Sequence, residues 1–80
     1  MNRLNLMYFA ILREEVGAAR EMVNSDASSF QELYEELSDL HGFSLPPELV
    51  SVAVNGAFRT MADVPRDGDE VVFIPPVAGG

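Results

Sequence analysis

The chain has 80 residues and a net charge of −8, with 13 acidic side chains against five basic ones, and this length suits one domain with one modest core. Because so negative a protein repels a phosphate backbone, the charge argues against nucleic-acid binding and favours a partner with a basic docking surface. The sequence contains no cysteine and one histidine, His41, which excludes disulfides, thiol nucleophiles, thiolate metal sites and multi-histidine metal sites.

The first third of the chain predicts a strand, a short helix and a second strand. In the first strand, Met1 to Phe9, the side chains alternate between two faces: Leu4, Leu6 and Tyr8 on one, and Asn5, Met7 and Phe9 on the other. Both faces are largely apolar, as in a central strand covered by a helix on one side and by a partner or a short helix on the other. Ala10 to Val16 predicts a short helix ending at Gly17, and Ala18 to Asn24 predicts a partly polar edge strand.

The clearest helix signal begins at Ser29, because Ser29 and Glu32 have the spacing of a capping box. A helix is expected to run from there to Gly42, where glycine favours a helix end. One apolar stripe recurs at helical spacing and predicts the core face: Phe30, Leu33, Tyr34, Leu37 and Leu40. His41, in the last turn, suits an interaction with the helix dipole better than catalysis.

The second half of the chain predicts a hairpin. Phe43 to Glu48 contains two prolines and predicts a loop. From Val50 to Val54, valine alternates with small or polar residues, which indicates a strand. Asn55-Gly56 is a strong hairpin signal that favours a type I′ turn, after which Ala57 to Thr60 pairs back.

The last predicted strand is Val71 to Ile74, which follows the turn signal Asp67-Gly68-Asp69. The order strand, strand, helix, strand, short strand, strand indicates an α+β fold, with a mixed sheet of about five strands and one main helix across one face. This is the β-grasp, or ubiquitin-like, arrangement. We expect residues 1–74 to form that domain and residues 75–80 to form an extended arm.

The sequence predicts an arm that is stiff at its base and narrow at its tip. Pro75 and Pro76 end the strand and predict a polyproline-like stalk, and six residues reach about 20 Å beyond the body. Val77 and Ala78 keep the arm apolar, whereas solubilising tails are usually polar. Gly79 and Gly80 have no Cβ atoms, so the tip can thread a narrow channel and present its α-carboxylate. The alternative is an ordinary frayed terminus.

Several of these segments resemble the small, sulfur-carrier subunit of molybdopterin synthase. The matching motifs are Tyr8-Phe9-Ala10, Leu12-Arg13-Glu14, Val54-Asn55-Gly56, Asp67-Gly68-Asp69-Glu70-Val71 and Phe73-Ile74-Pro75-Pro76-Val77-Ala78-Gly79-Gly80. Gly-Gly alone is shared with thiamine-pathway sulfur carriers and ubiquitin-like modifiers, but the aromatic strand running into Pro-Pro-Val-small-Gly-Gly is more specific. Ile74 stands where an aromatic residue is common in the family.

The resemblance implies a role in molybdenum cofactor biosynthesis in which the arm is the reagent. A ubiquitin-activating-type adenylating enzyme would use ATP to convert the Gly80 carboxylate to an acyl-adenylate, and a sulfur donor enzyme would then replace AMP to give a thiocarboxylate. The arm would carry this sulfur to cyclic pyranopterin monophosphate in the large synthase subunit. The carrier binds no cofactor or metal of its own in this scheme, and the catalytic acid and base groups are expected on the large subunit, within a heterotetramer.

The resemblance also implies a docking surface beneath the arm, for which the candidates are Phe9, Arg13, Phe58, Arg59 and Ile74. For the two phenylalanines, a place in the core is about equally expected. A thiamine-pathway carrier, a covalent protein modifier and a simple interaction domain remain alternatives. The sequence has no apolar stretch of about 18 residues and no signal peptide at its start, which predicts a cytoplasmic protein without a membrane partner.

Overall fold

In the part of the chain that the structure describes, the sheet has five strands, and one long helix crosses one of its faces. The computed structural model describes residues 1–76, so the predictions for Val77, Ala78, Gly79 and Gly80 lie outside the described residues. The elements in chain order are β1 (Asn2–Tyr8), α1 (Ala10–Val16), β2 (Arg20–Ser25), α2 (Phe30–His41), a short 3-10 helix (Pro47–Leu49), β3 (Ser51–Val54), β4 (Ala57–Arg59) and β5 (Glu70–Ile74).

The strand order across the sheet is β2-β1-β5-β3-β4. The first and last strands of the chain, β1 and β5, are parallel neighbours at the centre, and every other pair is antiparallel. This confirms the predicted mixed β-grasp sheet. The predicted β2 was wrong at its start, because Ala18 and Ala19 lie in the turn after α1.

The core lies between the sheet and α2. Leu4, Leu6 and Tyr8 share one face of β1, as the alternation predicted, and the structure shows that this is the buried face. Tyr34 of α2 packs edge-on against Phe73 of β5, with ring centroids 5.2 Å apart, and its hydroxyl donates to the Leu45 carbonyl at 2.8 Å. Burial, followed by the charge of Glu15, raises the pKa of Tyr34 to about 12. The ring therefore stays neutral and fills the centre of the core.

The two ends of α2 differ in how well they match the prediction of a helix cap and of an apolar stripe. The Ser29 hydroxyl accepts a hydrogen bond from the Glu32 N–H at 3.1 Å, as predicted, but the Glu32 carboxylate accepts from the N–H of Ser28 instead of Ser29. Leu40 was wrongly placed in the core, since it is 67% exposed. His41 takes the inward position in that last turn, and its Nε2 lies 2.8 Å from the Glu21 carboxylate.

The hairpin turn is type I′, because Asn55 and Gly56 have φ values of 52° and 84°. The Asn55 side chain also ties the hairpin to the start of β5. Its Nδ2 donates to the Asp69 carboxylate at 3.0 Å, and its Oδ1 accepts from the Glu70 N–H at 2.9 Å. One side chain therefore holds together two segments that lie about 15 residues apart in sequence.

We predict that Asn55→Ala lowers the free energy of unfolding by about 1 to 3 kcal/mol, because it removes both hydrogen bonds and puts a Cβ-bearing residue with no local bonding at positive φ. Asn55→Gly, the matched control, loses the same bonds but has no steric penalty, so its loss should be smaller by about 1 kcal/mol. Urea unfolding followed by circular dichroism measures both. An alanine variant as stable as the unaltered chain would contradict this role.

Candidate docking face and C-terminal arm

The arm begins at the centre of the sheet. Strand β5 ends at Ile74 between β1 and β3, and Pro75 and Pro76 follow as irregular backbone. Proline has no N–H for the ladder, which explains why the strand ends there. The arm's outer residues, including the predicted reactive group on Gly80, lie outside the described residues.

The face of the sheet opposite α2 is open and apolar across its middle. The register places Met7, Val72, Ala53 and Phe58 side by side on four neighbouring strands. Facing residues on paired strands share a side of the sheet, so this row continues across all four strands. The first three side chains are half-buried, and Phe58 at the end of the row is 76% exposed. We call this surface the open face.

The open face accounts for most of the predicted docking residues. Phe58 and Ile74 belong to it, and Phe9, which is 47% exposed, follows Met7 at the end of β1 beside the start of the arm. Arg13 is exposed on the neighbouring helix α1. Both phenylalanines are therefore outside the core.

Arg59 is placed apart from that set. It faces Val52, which is fully buried, so Arg59 lies on the side of the sheet that α2 covers. It is exposed because β4 is an edge strand, and it occupies the same sheet end as the start of the arm. The structure thus puts Phe58 and Arg59 on opposite sides of one short strand.

The sequence analysis missed three members of the open face: Met7, Val72 and Ala53. Their signal was present, since Met7 alternates with the buried residues of β1 and Val72 lies between the buried Val71 and Phe73. A run of apolar residues on both sides of β5 indicates a strand covered on both faces, and α2 covers only one. The other face is therefore a candidate docking surface.

Charges border this face without entering its central row. Arg20 faces Met7 at one end of the row, and Glu70 faces Asn5 on the next level of the sheet. An apolar middle with charged side chains at its edge is the usual composition of a protein interface.

Within residues 1–76, no helix is long and apolar enough to cross a bilayer.

Comparisons with known proteins agree with this fold along nearly the whole chain. The family model described as the ThiS family matches residues 6–80. The chain is 30% identical to the molybdopterin synthase sulfur carrier subunit of Haemophilus influenzae, over 96% of this chain and 99% of that one. It is 32% identical to the protein of the same name in Escherichia coli, with the same coverage.

Solved structures give the same fold. SAMP1 from Haloferax volcanii superposes with a TM-score of 0.79 at 24% identity, over 99% of this chain and 100% of that one. Subunits 1 and 2 of the molybdopterin-converting factor from Helicobacter pylori were solved as a protein-protein complex, and a chain of it superposes with a TM-score of 0.64 at 20% identity, covering 98% of this chain and 99% of that one. The chain therefore belongs to the ThiS family of ubiquitin-like β-grasp proteins and is a relative of the molybdopterin synthase sulfur carrier subunits.

Proposed function

We propose that this chain is the sulfur carrier of a molybdopterin synthase. The observation that carries the proposal is the match to sulfur carrier subunits over 96% of the chain, together with a family match that extends through Gly80. The open face supports it, because an apolar surface beside the start of the arm suits a partner that receives the arm.

The chemistry requires activation of the terminal carboxylate, because a carboxylate is a poor electrophile. An adenylating enzyme joins a carboxylate oxygen of Gly80 to the α-phosphorus of ATP and releases pyrophosphate. A sulfur donor releases hydrosulfide, whose sulfur attacks the carbonyl carbon, and the carbon–oxygen bond to AMP breaks. The product is a thiocarboxylate, whose sulfur is ionised at neutral pH and is therefore nucleophilic.

Binding and delivery are the tasks of this chain's own residues. Phe58, Ile74 and Phe9 dock the open face on the large subunit, and Arg13 and Arg59 pair with partner carboxylates on either side of the arm. Pro75 and Pro76 limit the directions that the arm can take, which lowers the entropy lost when it enters the partner's active site. The acid and base groups and the pterin belong to the larger subunit, in a cytoplasmic heterotetramer.

The test is the intact mass of the chain after incubation with an adenylating enzyme, ATP and a sulfur donor. We expect one oxygen atom to be replaced by sulfur, and tandem fragmentation should place that change on Gly80. Omission of ATP is the matched control and should leave the mass unchanged. An unmodified chain under conditions that thiolate a known sulfur carrier would overturn the proposal.

A covalent modifier is the second candidate, because SAMP1, a small archaeal modifier protein by name, shares this fold. The chain has no lysine, so it cannot form lysine-linked polymers with itself, and a modifier role requires attachment to other proteins or to an N-terminus. Denaturing electrophoresis of a tagged chain from cells separates the two. A sulfur carrier migrates as the free chain, whereas bands of higher mass that depend on Gly80 would favour the modifier.

A further inference from the structure

Strand β2 forms an edge of the sheet, and among residues 1–76 no strand pairs with its outer side. The opposite edge, β4, has three residues, whereas β2 pairs with β1 over six consecutive positions. Natural sheets usually protect an edge by shortness, proline, a bulge or charged side chains, especially lysine. Strand β2 has no proline or lysine, its pairing is continuous, and its two charged residues, Arg20 and Glu21, both lie at its start. From Met22 onward this edge lacks these protections and remains open to pairing.

The register shows which backbone groups this edge offers. The Tyr8 N–H donates to the Ala19 carbonyl at 2.9 Å. Hydrogen-bonded pairs alternate along an antiparallel ladder, so Glu21 and Val23 also bond to β1. The N–H and C=O groups of the residues between them, Arg20, Met22 and Asn24, therefore point away from the sheet. All three side chains are exposed.

The side of this edge that faces α2 carries two carboxylates with apolar groups near them. Glu21 accepts a hydrogen bond from the Tyr8 hydroxyl and also lies 2.8 Å from His41 Nε2, and Glu36 of α2 accepts from the Ser25 hydroxyl at 2.6 Å. Val23, between these two points on β2, is half-buried. Leu40, which is exposed, lies one helical turn from Glu36 and on the same side of α2. A strand added here would meet negative charge and apolar surface together.

We infer that the β2 edge binds an extended segment of a partner protein as a sixth strand, and that the segment alternates basic and apolar side chains. The outward groups of Arg20, Met22 and Asn24 would bond its backbone, and Glu21 and Glu36 would select its basic residues. A second copy of this chain is a poor occupant, because each copy carries a net charge of −8. The inference does not depend on sulfur transfer.

The probe for this edge is the blocked peptide acetyl-Lys-Val-Lys-Val-Lys-amide, with the same peptide carrying glutamate in place of lysine as its control. Amide hydrogen exchange, measured residue by residue by NMR on the full chain, reports which N–H groups become bonded. We expect exchange at Met22 and Asn24 to slow by about tenfold or more with the lysine peptide, while Glu21 and Val23, already bonded to β1, change little. The glutamate peptide should give no slowing.

Met22→Pro removes one outward N–H and leaves the ladder to β1 intact, whereas Met22→Thr keeps that N–H and is the matched control. The proline variant should bind the lysine peptide about tenfold or more weakly, and the threonine variant within about twofold of the unaltered chain. Equal affinities for these two variants would overturn the inference. So would slowing confined to the open face, no slowing at millimolar peptide, or self-association through β2. If the proline variant does not fold, the exchange pattern of the unaltered chain decides.

Discussion

Deletion of Gly80 is expected to abolish thiocarboxylate formation while leaving the folded domain unchanged. The last strand ends at Ile74, and every buried hydrophobic residue of the described chain precedes Pro75. The deletion therefore leaves all of these buried residues in place, and the melting temperature should stay within a few degrees, since changes outside the core usually cost under about 0.5 kcal/mol. Intact mass after incubation with adenylating enzyme, ATP and sulfur donor measures the first effect, and thermal unfolding measures the second.

Appending one alanine after Gly80 is the matched control for chain length. It keeps both glycines but moves the carboxylate onto a residue that carries a Cβ, so a channel that fits only the backbone should reject it. We expect the extended chain to fold normally and to remain unthiolated. If either variant is thiolated, without proteolytic trimming of the extended one, then the activating enzyme does not depend on the position of the terminal carboxylate.

Phe58→Glu is expected to cause the largest loss of affinity for the large subunit among single changes on the open face. Phe58 is 76% exposed, so the substitution leaves the core intact, but docking would bury an unpaired carboxylate where an aromatic ring packed. Aromatic interface anchors cost about 2 kcal/mol or more when lost, which corresponds to about a 30-fold weaker complex. Isothermal titration with the large subunit measures this loss.

Val64→Glu is the control for Phe58→Glu, because Val64 is also exposed and the charge change is the same, but it lies in the connection between β4 and β5. The control variant should bind within about twofold of the unaltered chain, since exposed substitutions outside an interface have little effect. If the two variants bind equally well, the open face is not the docking surface.

The secondary-structure elements and most of the core residues could be predicted from the sequence, because its local signals agree with the packing. Helical periodicity, however, determines only the direction in which a side chain points from the helix axis. It does not determine whether another element packs against that side chain. Leu40 has nearly the helical phase of the buried Leu33, yet it is exposed, while His41 contacts Tyr8 and Phe43. The half-buried state of Leu45 likewise depends on tertiary contacts that no local pattern encodes.

The orientation of Phe58 was available from the sequence, although the prediction left it open. A two-residue turn at Asn55-Gly56 pairs Val54 with Ala57 and therefore Ala53 with Phe58. Since Val50, Val52 and Val54 form the inward set, Phe58 must point outward with Ala53. The same reasoning puts Arg59 on the inward side, which the resemblance to a family could not reveal.

The parallel pairing of β1 with β5 places the α-amino group of Met1 far from the start of the arm. With no lysine present, its primary amine is the α-amino group of Met1, which lies 3.3 Å from the Asp26 carboxylate. Tyr8 is level with Phe73, so Met1 lies about eight strand positions, or about 26 Å, from the start of the arm. Six arm residues span about 20 Å even when fully extended. If Gly80 is activated as proposed, it therefore cannot reach this amine within one molecule, and cyclisation would not compete with transfer to sulfur.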